Sequence, residues 1–283
     1  METLIELSNY SFSYRGSKVK ALDDVSFKIN KGEYVSIIGP TGAGKTTICR
    51  AFLQLIPTLY NGKISGDILV QGKPIKDYTV AQLSSIIGYV HQDAESQIMM
   101  TNVEKEIAFP LENLGVPRDE MIERVENALK LVHLESYRTR HPYYLSGGQR
   151  QRVVLATALA MNPDVLVFDE ATSEIDPLGA EEVLTVTKEL NDLGKTIIMI
   201  EHNMEEISRL SDRIILLDQG KILADDTTEK VMTNTDLMNQ LNFFPPEVTQ
   251  LFVALDKKGI HVDHFPLTVE SGVDALKDVL KKA

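Results

Sequence analysis

The sequence of 283 residues has a single cysteine, no tryptophan and no apolar run long enough to span a membrane as a helix, which takes roughly 20 residues. One cysteine, Cys49, excludes a disulfide within the chain and fits a reducing compartment. The first residues lack the basic stretch and the apolar run of a signal peptide, so we expect none. Basic residues are outnumbered, and the formal net charge of -12 argues against nucleic acid as a partner. We therefore expect any membrane association to come through a partner protein.

What the chain does contain is a glycine-rich loop between a predicted strand, residues 34–38, and a predicted helix, residues 48–56. Glycines let backbone N–H groups converge on an anion, and the following helix adds its positive end. Lys45 would reach the β- and γ-phosphates of a nucleotide, and Thr46 would offer its hydroxyl to Mg²⁺. The predicted phosphate-binding residues are Gly39, Pro40, Thr41, Gly42, Ala43, Gly44, Lys45, Thr46 and Thr47.

A second strand that we predict to be buried, residues 165–168, leads directly into two acidic residues. Apolar strands rarely end in paired carboxylates unless the acids serve a cation or a reaction. Asp169 suits the coordination of Mg²⁺, a hard cation that prefers oxygen ligands. Glu170 suits the polarisation of a water molecule for in-line attack on phosphorus. Together with the glycine loop, this pair predicts a site that hydrolyses a nucleoside triphosphate.

A Ser-Gly-Gly sequence predicts a second anion site. Ser146 fits the N-cap of a helix over residues 149–161, and Gly147 and Gly148 would expose backbone N–H groups at its start. Taken alone, these residues fit a simple helix cap equally well.

Three further residues carry weaker signals. Gln92 follows a strand over residues 86–90 and could reach a metal-bound water. His202 lies at the tip of a strand over residues 196–200, where an imidazole could hydrogen-bond a terminal phosphate. Tyr14 offers an aromatic face to a nucleotide base. Taken alone, a solvated loop glutamine, a structural histidine and a core aromatic explain the same positions.

The predicted elements divide the chain into regions. Short strands predict an antiparallel sheet beside the nucleotide core. They are residues 4–7, 12–15, 21–29 and 68–70. Residues 103–160 are helical in character with no βαβ alternation, so we expect an inserted helical subdomain over about residues 93–160.

After about residue 233 the pattern changes to two short amphipathic helices, the first of which starts at Pro245-Pro246. Such helices cannot bury their apolar stripes alone and must pack on the main domain or on another subunit. The predicted fold is α/β: a phosphate-loop NTPase core with an antiparallel β-subdomain, an inserted α-helical subdomain and a small C-terminal helical extension. We place the domains at residues 1–233 and 234–283.

In order and spacing, these motifs resemble the nucleotide-binding domain of an ABC transporter over roughly the first 230 residues. The resemblance implies that the chain binds ATP and Mg²⁺, with Lys45, Glu170 and His202 as catalytic residues. It implies Thr46, Gln92 and Asp169 as metal ligands. Outside the phosphate loop, the implied nucleotide-binding residues are Tyr14 of the A-loop, Gln92 of the Q-loop, Ser146, Gly147, Gly148 and Gln149 of the signature, and Asp176 of the D-loop.

Within that family the chain is most similar to the ATPases of energy-coupling-factor transporters, which take up vitamins or metal ions. The similarity is carried by residues 12–14, residues 141–145 and the Pro245-Pro246 helix with Gly259. It implies a homo- or heterodimer of ATPase subunits that sandwiches ATP. It further implies an integral membrane coupling subunit, a substrate-binding membrane subunit, and a peripheral location at the cytoplasmic face of the cell membrane. The extension, residues 234–283, is expected to help dimerisation.

The sequence departs from the family pattern at four places. Ala171 replaces a common Pro, Glu201 replaces a common Thr, Glu174 and Ile175 alter the D-loop, and residues 93–97 differ from the usual Q-loop sequence. None of these changes removes a reacting group. The main alternative is an ABC importer outside the energy-coupling-factor group. A non-transport ABC protein usually carries a coiled-coil insertion or a second motif set, and an unrelated phosphate-loop NTPase would not explain residues 145–149.

Overall fold

Two sheets and an inserted group of helices make up the structure, a computed structural model that describes residues 2–262 and 264–282. The strands are β1 (Thr3–Tyr14), β2 (Leu22–Asn30), β3 (Tyr34–Ile38), β4 (Gly62–Val70), β5 (Lys73–Pro74), β6 (Ile87–His91), β7 (Val165–Asp169), β8 (Thr196–Ile200), β9 (Arg213–Asp218) and β10 (Lys221–Thr227). The helices are α1 (Lys45–Phe52), α2 (Leu55–Thr58), α3 (Val80–Ser84), α4 (Ala94–Gln97), α5 (Val103–Asn113), α6 (Arg118–Leu131), α7 (Gly147–Ala160), α8 (Pro177–Asp192), α9 (Met204–Leu210), α10 (Thr228–Thr233), α11 (Thr235–Gln240), α12 (Glu247–Asp256) and α13 (Val269–Lys282).

The larger sheet has the strand order β10-β9-β3-β8-β7-β6, and all its neighbouring pairs are parallel except β9 with β10. Every residue of β3, β7 and β8 is buried. Strands covered on both faces read as continuous apolar runs, which is why the sequence pattern identified them. The parallel arrangement places the carboxyl ends of β3, β6, β7 and β8 at one edge of the sheet.

The smaller sheet is antiparallel, in the order β2-β1-β4-β5, as the sequence predicted for this region. Its first strand corrects one expectation. The sequence predicted separate strands at residues 4–7 and 12–15, whereas β1 runs without a break through both. Asn9 has a positive φ of 49°, and at this residue the register of β1 shifts in its pairing with both β2 and β4. This irregularity accommodates the polar residues between the two predicted strands without ending β1.

The predicted all-helical region contains α5, α6 and α7, whose apolar faces share one core with one side of the larger sheet. Helix boundaries differ from prediction elsewhere. The helix after the glycine loop spans Lys45–Phe52 rather than residues 48–56, because the left-handed Gly44 already starts it. Helix α8 begins at Pro177, with Asp176 as its N-cap.

The C-terminal helices pack against the main body unequally. Met232 of α10 and Met238 of α11 are buried against Ile38 and other residues of the larger sheet, and Phe252 of α12 is 1% exposed. In α13, by contrast, apolar side chains remain exposed, Leu280 by 68%. The boundary at residue 233 stays a prediction. Within the described residues, no helix combines the length and apolar character needed to cross a bilayer.

Candidate nucleotide-binding and catalytic site

The site lies where the parallel strands end. The glycine loop follows β3, Gln92 follows β6, Asp169 closes β7, and His202 comes two residues after β8. This edge of a parallel sheet is the usual position for a ligand crevice, because loops from several strands converge there. Sequence-distant residues are therefore brought together by strand order alone.

The phosphate loop is shaped for close backbone approach. Gly44 has a φ of 111°, and a Cβ at this position would lie 2.5 Å from the carbonyl oxygen of Ala21. Lys45, which is 5% exposed, donates from Nζ to the carbonyl oxygens of Gly39 at 2.7 Å and Pro40 at 3.2 Å. Burial lowers the pKa of Lys45, and the carboxylates of Glu170 and Asp169 oppose that shift. The loop thus holds the Lys45 side chain against two backbone carbonyl oxygens, beside the place where an anionic ligand would bind.

Asp169 has a donor set suited to Mg²⁺. It is 3% exposed, and its Oδ1 lies 3.4 Å from the Thr46 hydroxyl while Oδ2 accepts a hydrogen bond from the Tyr89 hydroxyl at 2.9 Å. Burial raises the pKa of Asp169, and the Tyr89 hydrogen bond opposes that shift. A buried carboxylate beside a hydroxyl fits a hard cation that also takes ligands from substrate phosphates. Among the described residues, no cluster of three His, Cys, Asp or Glu side chains could hold a metal by itself.

Glu170 and His202 form a direct pair across two loops. The Glu170 Oε1 and His202 Nε2 atoms are 2.9 Å apart, and both side chains remain partly exposed. Glu170 adopts a φ of 55°, and its N–H donates to the carbonyl oxygen of Ile200 at 3.0 Å. That backbone bond ties the end of β7 to the end of β8. The pair can therefore bind and orient a water molecule or a phosphate at the sheet edge.

Two predicted residues make contacts away from this pair. The Gln92 amide donates to Glu174 at 3.0 Å, so the structure brings Gln92 to the D-loop rather than to Thr46 and Asp169. The Tyr14 hydroxyl lies 3.1 Å from the Thr47 hydroxyl and accepts from Arg50 at 2.8 Å. The ring of Tyr14 packs edge-on against Phe12 and Tyr60. Tyr14 thus lies beside the phosphate loop, where its hydroxyl contacts two residues of α1.

The Ser-Gly-Gly residues form a separate unit. Ser146 is the predicted N-cap: its hydroxyl accepts from the Gln149 N–H at 3.2 Å, while the Gln149 side chain accepts from the Ser146 N–H at 3.0 Å. Gly148 packs so closely on Gly179 that an added Cβ would lie 2.6 Å from its Cα. Asp176 caps α8 by accepting from the Gly179 N–H at 3.0 Å. No hydrogen bond of the described residues joins residues 146–149 to residues 39–47.

Sequence reasoning missed several residues that shape the site. Tyr89 and Arg50 bind Asp169 and Tyr14, respectively, and neither belongs to a predicted motif. Glu201 is visible in the sequence only as a departure from the family pattern, and Thr172 carries no signal there. The available signal was the presence of polar residues beside buried strands, which are costly to bury unless they are paired.

The chain is similar to known proteins over most of its length. Residues 22–173 match the family model described as ABC transporter. A protein of Pyrococcus abyssi, provisionally named an ABC transporter ATP-binding protein, is 42% identical over 91% of this chain and 92% of its own length. The energy-coupling factor transporter ATP-binding protein EcfA1 of Enterococcus faecalis is 38% identical over 98% of both chains.

Two solved structures are similar in fold. CbiO1 from Clostridium perfringens, described as part of the ABC transporter complex CbiONQ, superposes with a TM-score of 0.76 at 28% identity, covering 91% of this chain and all of that one. An ATP-binding cassette in a dimeric post-hydrolysis state with ADP and phosphate superposes with a TM-score of 0.66 at 29% identity, covering 80% of this chain and 99% of that one.

Proposed function

We propose that this chain, which belongs to the ABC transporter family of ATP-binding proteins, is the ATPase subunit of an energy-coupling-factor importer for a vitamin or a metal ion. ATP hydrolysis coupled to transport is the activity of the family. The subgroup is supported by the EcfA1 relatives, which align over nearly the whole chain, and by CbiO1, whose description places it in a transporter complex. The cargo would be bound by a separate membrane subunit.

The observation that carries the mechanism is the separation of the two anion-binding units. Thr46 lies near Asp169 and Glu170 pairs with His202 at the sheet edge. Gly147 lies against Ile175 of the D-loop and Gly148 against Gly179 of α8, and no hydrogen bond within the described residues joins this unit to the phosphate loop. A nucleotide that needs both units would lie between the phosphate loop of one subunit and the signature of another. ATP would hold two such chains together, and hydrolysis would release them.

In this arrangement each residue has a chemical role. Lys45 would leave its two carbonyl partners to bind the β- and γ-phosphates, and the loop N–H groups would bind the remaining oxygens. Thr46 and Asp169 would hold Mg²⁺, with Gln92 joining them after it leaves Glu174. The Mg²⁺ ion, when bound, neutralises charge that develops on the phosphate oxygens. Glu170 would accept the proton of the attacking water, and His202 would orient the γ-phosphate.

A groove on the helical side suits a membrane partner. It has a volume of about 300 Å³ and includes Met99, 70% exposed, and Tyr143, 79% exposed. Glu95 lies on its wall and pairs with Arg150 at 3.0 Å. We propose that the coupling subunit inserts an apolar segment here and presents basic residues to Glu95 and Asp93. The chain would then be peripheral at the cytoplasmic face of the membrane.

Co-purification from membranes tests this assignment. We expect the tagged chain to bring down an integral coupling subunit, a substrate-binding subunit and a second ATPase chain. Glu95→Lys should weaken that capture, whereas Glu120→Lys should not, although Glu120 also pairs with an arginine, Arg124, at 2.6 Å. Full capture by the Glu95→Lys variant would contradict the proposed docking groove.

The isolated chain provides a second test. Its ATPase rate per molecule should rise with protein concentration, because two chains complete each site. A full rate that stays constant on dilution to the monomer would contradict the shared site. An integral partner of another importer type would instead favour the alternative, an ABC importer outside the energy-coupling-factor group.

A further inference from the structure

Glu201 is a buried carboxylate next to the reacting residues, and the roles proposed above do not use it. It follows β8 directly, precedes His202 and is 6% exposed. Its Oε1 accepts a hydrogen bond from the hydroxyl of Thr172, which is 8% exposed. Its Oε2 accepts from the backbone N–H of His202 at 3.0 Å. Both carboxylate oxygens are therefore occupied by groups on two different loops.

These two loops carry the Glu170–His202 pair. Thr172 lies two residues after Glu170, and His202 is the next residue after Glu201. Within the described residues, two other hydrogen bonds join these loops. The Glu170 N–H donates to the Ile200 carbonyl oxygen, and the Glu170 side chain pairs with His202. Glu201 thus adds a side-chain connection beside the reacting pair, on the buried side of the loops.

Burying a carboxylate this deeply costs free energy, because the charged group loses its hydration. Burial raises the pKa of Glu201, while the hydrogen bond from the His202 N–H opposes that shift. A buried acid is tolerated when its oxygens are fully paired, and it then fixes the position of its partners more narrowly than a methyl or methylene group could.

We propose that Glu201 is a positioning residue that sets the distance between Glu170 and His202 by holding Thr172 and the His202 backbone at once. This inference rests on the roles proposed above for Glu170 and His202. It also gives a structural reason for the departure at position 201: the carboxylate reaches both loops, whereas the common threonine has a single hydroxyl.

Steady-state ATPase kinetics of the full chain test the inference. Glu201→Leu removes both hydrogen bonds, and kcat should fall roughly 10- to 100-fold, since small displacements of reacting groups carry such penalties. The KM for ATP should change less than about twofold, because the phosphate loop is untouched. Glu201→Gln should retain most of the rate: its amide oxygen can accept from the His202 N–H, and its amide nitrogen can donate to the Thr172 hydroxyl.

Variants of Thr172 test the same hydrogen bond independently, in case Glu201→Leu does not fold. Thr172→Val should lower kcat in the same direction, and Thr172→Ser should restore it. The matched control is Thr196→Val, which removes a buried hydroxyl that accepts from the Gly32 N–H at 2.8 Å at the start of β8, the end of that strand opposite the site. It should lower the melting temperature without lowering kcat.

The outcomes separate the two levels of the proposal. Wild-type kcat in both Glu201→Leu and Thr172→Val would overturn the positioning role, as would a Glu201→Gln variant as slow as Glu201→Leu. If Glu170→Gln and His202→Ala also hydrolysed ATP at the wild-type rate, the proposed catalytic roles themselves would be wrong. A different result would overturn only the positioning role of Glu201. In that case Glu170→Gln and His202→Ala lose ATPase activity, while Glu201→Leu and Thr172→Val keep the wild-type kcat.

Discussion

The phosphate-loop edge and the signature differ in how much of a binding site each completes within one chain. At the edge, side chains from different elements lie together: Thr46 of α1 lies near Asp169 of β7, and Glu170 pairs with His202. At the signature, Ser146 and Gln149 cap their own helix, and Gly148 packs against Gly179. The first unit contains the residues proposed to react, and the second offers backbone N–H groups and packing.

The difference has a physical origin. Parallel strands converge at their carboxyl ends, so the larger sheet assembles the first unit from residues far apart in sequence. The signature lies at the start of α7, where a capping box needs only neighbouring residues. A unit built locally can be presented to another subunit without disturbing the sheet. The comparison therefore predicts different defects from mutations in the two units.

The largest expected effect comes from Glu170→Gln. The amide cannot accept the proton of the attacking water, so hydrolysis should fall by about 10²- to 10⁴-fold, while ATP binding persists. Persistent ATP should leave a long-lived closed dimer, visible by size-exclusion chromatography with ATP. Glu181→Gln, at a surface ion pair with Arg209, is the control. Phosphate release at the control rate would remove Glu170 from the proposed role.

A smaller effect distinguishes the two units directly. Lys45→Ala should weaken ATP binding to the monomer by roughly 10- to 100-fold, the worth of a hydrogen bond to a charged group. Gly148→Ala should leave that affinity unchanged, because its added Cβ displaces the signature from Gly179 and not the phosphate loop. It should instead reduce ATP-dependent dimerisation. Titration calorimetry measures the first quantity and light scattering the second. If Lys45→Ala and Gly148→Ala lost equal affinity for ATP in the monomer, the two units would not have the separate roles proposed here.

The positions of the residues in the first unit could be predicted because their sequence signals are local. Each buried strand is an apolar run, and each reacting residue follows one, so Lys45, Asp169 and His202 could be placed before their contacts were known. Helix capping at Ser146 is local in the same way. One error was also local: the sequence predicted separate strands at residues 4–7 and 12–15, whereas β1 continues through a register shift around Asn9.

Long-range side-chain pairing could not be predicted. Gln92 binds Glu174, 82 positions away, and Thr172 binds Glu201, 29 positions away. Such pairs depend on how far each loop extends beyond the edge of the sheet, and the hydrophobic pattern of the sequence does not contain that information. The departures at Glu174 and Glu201 were visible in the sequence, but only the structure shows that each one binds a residue of another loop.

The smallest expected effect concerns the stability of the first unit against pH. Burial raises the pKa of Glu201, and the charges of Glu170 and Glu206 add to that shift, while His202 opposes it. The folded protein therefore binds this proton more tightly than the unfolded chain, so wild-type stability is lost as pH rises through the folded pKa.

Because glutamine has no such proton, Glu201→Gln should melt about 2–4 °C above wild type at pH 8, and the difference should shrink as the pH falls toward 5. Melting curves between pH 5 and 8 measure it, with the exposed Glu205→Gln as control. A difference independent of pH would mean that packing, and not the buried charge, separates the two proteins. A wild type more stable at pH 8 would show that the paired hydrogen bonds outweigh the desolvation of the carboxylate.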